Sequence, residues 1–181
     1  MKQLIFGGAR SGKSRLAEQL CELQGDSVAY IATADPRFHD DEMQARVRHH
    51  RNQRPAHWQT IEEPLELGAR LLQLDGQVDA IMVDCLTLWL SNCLLLRSED
   101  YAEGEAWTKQ RAALLEALTQ VTTPVTLVSN EVGMGIVPLG EINRRFVDES
   151  GFLNQACAGL CDRVIFTAAG LPMVLKGPPL S

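Results

Sequence analysis

The chain has 181 residues, 45% of them hydrophobic and 22% charged, with a formal charge of −6. These are the proportions of a globular domain with a sizeable core, expected as a single domain over 1–181. An acidic balance argues against a nucleic-acid partner or an anionic membrane surface, both of which ask for a basic footprint.

In chain order, Leu4–Phe6 reads as a strand and gives way at once to glycines, so no signal peptide is expected. The stretch GGARSGKS, Gly7 to Ser14, follows. Gly7-x-x-x-x-Gly12-Lys13-Ser14 is a full P-loop pattern, placed between a strand and an amphipathic helix, Ser14–Leu23. Glycines let successive amides point inward and let the backbone approach phosphates. The helix start favours an anion, Lys13 adds a point charge, and the Ser14 hydroxyl is placed to ligate Mg²⁺. A glycine-rich turn with a chance lysine is the bland alternative.

Val28–Ala32 is the next strand, and Asp40–Asn52 a polar helix opened by Asp40, Asp41 and Glu42. That helix carries Arg46, Arg48, His49, His50 and Arg51. Neutral imidazole can attack phosphorus, but spacing alone favours two surface histidines among arginines. His39 and His57 read as loop residues. Pro64 suits the first turn of a helix over Leu65–Leu74. Ala80–Val83 is a strand ending in Asp84, which either holds a metal's water shell or caps the next helix. The apolar run Leu86–Leu96 is too short to span a bilayer.

Trp107–Val121 and Gly140–Leu160 read as helices, and Val125–Val128 and Val164–Ala168 as strands. Gly170-Leu171-Pro172 turns into a last short strand, Met173–Leu175, which the pattern allows to be antiparallel. The alternation predicts an α/β fold: a mostly parallel central sheet with helices on both faces. The five cysteines are an odd number with no C-x-x-C pair, which suits small core residues in a reducing, cytoplasmic setting. No guanine-reading N-K-x-D or ABC-type L-S-G-G-Q occurs, which favours a small-molecule transferase over a switch or transducing ATPase.

Several segments then act together: GGARSGKS, YIATA (Tyr30–Ala34), DDEMQARVRHHRNQRP (Asp40–Pro55), HWQTIEEP (His57–Pro64), NEVGMGIVP (Asn130–Pro138), Asn154-Gln155 and Asp162-Arg163-Val164. In that order they resemble the bifunctional adenosylcobinamide kinase / adenosylcobinamide-phosphate guanylyltransferase family of cobalamin biosynthesis. The resemblance runs over essentially the whole chain. It implies a RecA-like P-loop fold, a homotrimer, and two reactions. ATP or GTP phosphorylates the aminopropanol hydroxyl of adenosylcobinamide, and GMP from GTP is then joined to that phosphate with release of pyrophosphate. The resemblance implies that His50 carries GMP covalently. It places nucleotide contacts at Gly7, Gly8, Ala9, Arg10, Ser11, Gly12, Lys13 and Ser14, at Thr33, Ala34 and Asp35, at Arg51, Asn52, Gln53 and Arg54, and at Glu62 and Asp84. Asp84 touches the nucleotide directly or acts through Mg²⁺ shared with Ser14. Glu62 is either a ribose or guanine acceptor or an exposed loop acid. Asn130 and Glu131 follow directly on a strand and read as functional without an assigned role. A plain P-loop kinase and a non-catalytic nucleotide-binding module are the competing readings.

Overall fold

The computed structural model describes residues 1–35, 55–95 and 105–180. Its strands are β1 (Lys2–Gly7), β2 (Val28–Ala32), β3 (Gln59–Glu62), β4 (Ala80–Asp84), β5 (Val125–Asn130), β6 (Arg163–Ala168) and β7 (Leu171–Lys176). The helices are α1 (Lys13–Glu22), α2 (Leu67–Leu74), α3 (Leu86–Leu95), α4 (Glu105–Gln120) and α5 (Glu141–Leu160). The strands join one sheet in the order β3-β2-β4-β5-β1-β6-β7. All neighbours are parallel except β6 and β7, which pair antiparallel as the Gly170 turn suggests.

The continuous apolar strands are explained by cover on both faces. Along β4, Ile81 and Val83 face one buried cluster while Ala80 and Met82 face another. Along β1, Leu4 and Ile5 divide the same way. The second cluster is closed by Ala17, Leu20 and Cys21 of α1. The first is closed by residues of α2, α3, α4 and α5. Helices on both faces and a mostly parallel sheet are therefore as expected.

Three elements differ from the sequence reading. The second helix starts at Leu67, not Leu65. Pro64 lies before it, in a bend where the Glu63 carboxylate accepts the N–H groups of Leu65 and Glu66 at 3.2 and 2.8 Å. Leu86–Leu95 is a helix whose Leu86, Trp89, Leu90, Cys93 and Leu94 are all buried, so it lacks the polar face that betrays a surface helix. Gln59–Glu62 is a short polar edge strand paired with β2 alone. All five cysteines are free and buried. No helix among the described residues is long and apolar enough to cross a membrane.

Candidate nucleotide site

The carboxyl ends of β1, β5 and β4 lie side by side, with Gly7 opposite Asn130 and Asp84 opposite Val128. In a parallel sheet this edge is where ligands sit. One strand, β5, separates β1 from β4. The loop after β1 and the acid ending β4 therefore stand two strand spacings apart, about 10 Å.

The loop itself is tightly braced. A Cβ on Gly7 would lie 2.3 Å from the Thr167 carbonyl oxygen and 2.9 Å from Ser11 Oγ, so the first position admits only glycine. Ser11 Oγ pairs with Thr167 Oγ1 at 3.0 Å, and the Gly170 N–H donates to the Ser11 carbonyl at 3.0 Å. The β6–β7 end of the sheet thus props the loop from behind. Gly12 has φ +93° and caps α1 without any side-chain bond, and the first turn of α1 holds no acid. The amides there keep an uncompensated positive end, suited to phosphate.

Lys13 is 8% exposed, and its Nζ donates to the Gly8 carbonyl at 3.0 Å. Burial holds its pKa below the ordinary value of 10.5, partly offset by Cys85 and by the Asp84 carboxylate. A buried cation beside an acid, with only a carbonyl as hydrogen-bond acceptor among the described residues, is poised to take a stronger anion. Asp84 is half-buried and its Oδ2 accepts the Tyr30 hydroxyl at 3.1 Å. Among the described residues no cluster of three or more His, Cys, Asp or Glu side chains could hold a metal ion by itself.

Thr33 is fully buried, and its hydroxyl both donates to the Cys85 carbonyl (2.7 Å) and accepts the Cys85 N–H (2.8 Å). That side chain ties the tips of β2 and β4 together. Ala34 is half-buried and Asp35 buried just beyond. Glu62 is exposed at the end of edge strand β3, four strand spacings from β1, or about 19 Å. It is out of reach of the loop's phosphates and on a strand rather than in a loop. His50, Arg51, Asn52, Gln53 and Arg54 lie outside the described residues.

Sequence reasoning missed Tyr30, Thr167 and Gly170. Tyr30 carried a signal, as a phenol in an otherwise aliphatic strand that needs a partner when buried. Thr167 and Gly170 carried none, since their role depends on β6 lying beside β1.

The family described as cobinamide kinase / cobinamide phosphate guanyltransferase matches residues 3–175. The bifunctional adenosylcobalamin biosynthesis protein CobP of Pseudomonas aeruginosa is 54% identical over 180 residues, 99% of this chain and 100% of that one. The bifunctional proteins named CobU of Salmonella typhimurium and Escherichia coli are 41% and 37% identical, each over 97% of this chain and 100% of their own. Among solved structures, the P4 protein from bacteriophage phi6 in complex with ADP aligns with 95% of this chain and 53% of its own, at 14% identity and a TM-score of 0.46. A P-loop braced on a parallel sheet and full-length likeness to bifunctional relatives lead to one statement: the chain belongs to the cobinamide kinase / cobinamide phosphate guanyltransferase family, bifunctional enzymes of adenosylcobalamin biosynthesis.

Proposed function

We propose that one phosphate cradle, Gly7 to Ser14, serves both reactions of the chain. In the first, adenosylcobinamide is the acceptor and ATP or GTP the donor. Its alcohol oxygen attacks the γ-phosphorus and a nucleoside diphosphate leaves. Phosphoryl transfer asks mainly for positioning and charge neutralisation, which the loop amides and Lys13 supply. In the second, GTP is broken between the α- and β-phosphates. Attack there by the acceptor phosphate would bring two anions together. A neutral His50 nitrogen avoids that repulsion: it bonds to the α-phosphorus and pyrophosphate departs. An oxygen of adenosylcobinamide phosphate then attacks the same phosphorus, the P–N bond breaks, and adenosylcobinamide-GDP forms with imidazole restored.

Ser14 and Asp84 suit Mg²⁺, an ion that takes few protein ligands and fills the rest with phosphate oxygens and water. Bound there, Mg²⁺ would offset phosphate charge. Arg51 and Arg54 are assigned to the transferring group. Thr33 to Asp35 and Asn52 to Gln53 are assigned to the nucleotide's surroundings, and Glu62 to the ribose or guanine.

The observation that carries this reading is the buried Lys13, held ready on Gly8 beside Asp84. The test uses GTP labelled at the α-phosphate. Wild type should retain acid-labile label, and His50→Ala should retain none. A His50→Ala protein that labels fully removes the covalent step.

A further inference from the structure

A groove of about 420 Å³ runs between α5 and the β1–β6–β7 side of the sheet. Phe6 and Val164 form part of its apolar floor, and Asn154 and Gln155 present primary amides from α5. Among the described residues, Asn154 Oδ1 is buried without a hydrogen-bond partner. Glu131 stands at the end that meets the P-loop, where its main-chain N–H donates to the Gly7 carbonyl at 3.0 Å. The Glu131 carboxylate is held by the Gly133 N–H at 2.6 Å. Lys176 closes the far end, beside Val164 in the β6–β7 pairing, with its ammonium on the carbonyls of Ala158 and Gly159.

We propose that this groove receives the alcohol-bearing arm of the acceptor, with Glu131 as the base for its hydroxyl. The proposal rests on the function assigned above. Three features of the groove match that acceptor, an apolar macrocycle edged with primary amides and ending in an alcohol. The floor is apolar, one wall offers amide groups, and a carboxylate sits only where the groove joins the phosphate loop. The volume accommodates the arm and one edge of the ring, leaving the rest outside. In the kinase step the alcohol oxygen bonds to the γ-phosphorus and its proton passes to the Glu131 carboxylate. The bond from the γ-phosphorus to the bridging oxygen breaks, and its electron pair leaves on the nucleoside diphosphate. In the guanylyl step the acceptor is a phosphate with no such proton to give. Glu131 therefore belongs to one reaction and the groove to both.

The test uses the full chain and three variants. A Cβ at Gly151, which lines the groove, meets nothing within 4 Å, so Gly151→Trp fills the groove without a backbone clash. Ala112 is exposed on α4 and does not line the groove, and Ala112→Trp is the control. Gly151→Trp should raise KM for adenosylcobinamide and for its phosphate by about tenfold or more while leaving KM for GTP unchanged; a tenfold change is about 1.4 kcal/mol. Ala112→Trp should match wild type. Glu131→Gln should lower the kinase kcat about a hundredfold, as loss of a general base does. It should leave guanylyl transfer to ready-made adenosylcobinamide phosphate within about threefold.

Equal losses in both reactions for Glu131→Gln would mean that the carboxylate only steadies its own loop at Gly133, and the base assignment falls. If Gly151→Trp shifts only the particle mass in light scattering, or only the KM for GTP, the groove is not the acceptor's. Wild-type protein that turns over neither acceptor condemns the function assigned above rather than the groove. Equilibrium dialysis of adenosylcobinamide against wild type and Gly151→Trp then decides the groove: weaker binding by the variant upholds it, and equal binding overturns it.

Discussion

Replacing Lys13 by methionine should separate what the cradle costs the fold from what it gives the chemistry. Methionine keeps most of the buried stem and removes only the charge. The ammonium makes one bond to a carbonyl, Gly8, worth about 1.5–3 kcal/mol for a charged donor. Against that stands the burial of a cation that is 8% exposed, a cost visible in its lowered pKa. The two nearly cancel, so Lys13→Met should change unfolding stability at pH 7 by no more than about 1 kcal/mol, with gain as ready as loss. Both reactions, in contrast, lose a preorganised charge on the phosphates, about 3–4 kcal/mol of barrier or roughly 10²–10³ in kcat. The pH dependence follows from the sign of the shift. Between the depressed folded value and 10.5 the unfolded chain binds more protons at this site, so folding stability there rises with pH. The rise should be absent from Lys13→Met. Urea unfolding at pH 7 and above pH 9, with chromatographic rates for both reactions, measures all of this. A stability loss beyond about 3 kcal/mol, more than the single bond can explain, would refute the reasoning. So would a fall in one reaction alone.

Tyr30→Phe removes the 3.1 Å bond to Asp84 and should cost about 0.5–1.5 kcal/mol of stability. It should raise the Mg²⁺ concentration that gives half-maximal rate in both reactions, and an unchanged Mg²⁺ titration would count against Tyr30 as the residue that holds Asp84. Gln3→Leu strips the buried Arg163 of the acceptor that takes its Nε at 3.0 Å and Nη2 at 2.7 Å. The cost should be about 3–5 kcal/mol by urea unfolding, and Gln3→Glu, which keeps an acceptor, should lose less. The Asp75 carboxyl is lowered to about 2, first by the Thr123 N–H and then by the Thr122 N–H and hydroxyl. Its stabilisation is complete above its ordinary 3.8 and is lost as pH falls through about 2. Asp75→Asn should therefore be less stable at pH 7 by about 1 kcal/mol, allowing for solvent screening, and the gap should close by pH 2.

What the sequence disclosed follows from the range of the interactions involved. The P-loop was legible because its chemistry is local: eight consecutive residues supply the turn, the amides, the lysine and the hydroxyl. The buried strands were legible because cover on both faces makes them apolar without a break. Leu86–Leu95 was not read as a helix for the same reason taken further, since a helix enclosed by β5, α4 and α5 has no polar stripe. Gln59–Glu62 was hidden for the opposite reason: an edge strand, exposed along most of its length, is polar and looks like loop. The brace behind the loop was invisible because Gly7 and Thr167 are 160 residues apart and meet only once β6 is laid beside β1. Asp84 was placed at the right strand end, but its choice of Tyr30 depends on β2 lying beside β4.

A division of labour follows if one cradle feeds both reactions. Residues that hold the triphosphate belong to both steps, so no substitution at Lys13 can part them. Only a group that handles the acceptor's proton, or one that carries the nucleotide, belongs to a single step. On the readings above these are Glu131 and His50. Glu131→Gln protein should stall before the phosphorylated acceptor, and His50→Ala should accumulate it. Mixed together with GTP and adenosylcobinamide, the two variants should form adenosylcobinamide-GDP that neither makes alone, because the phosphate released by one serves the other. Chromatography of the corrinoid products reads this directly. If the mixture stays as silent as its parts while the Glu131→Gln protein still accepts added adenosylcobinamide phosphate, the phosphorylated acceptor never leaves the first active site. The two steps would then share a single binding event, and the acceptor's hold in its site, rather than the nucleotide's, would govern passage from one reaction to the next.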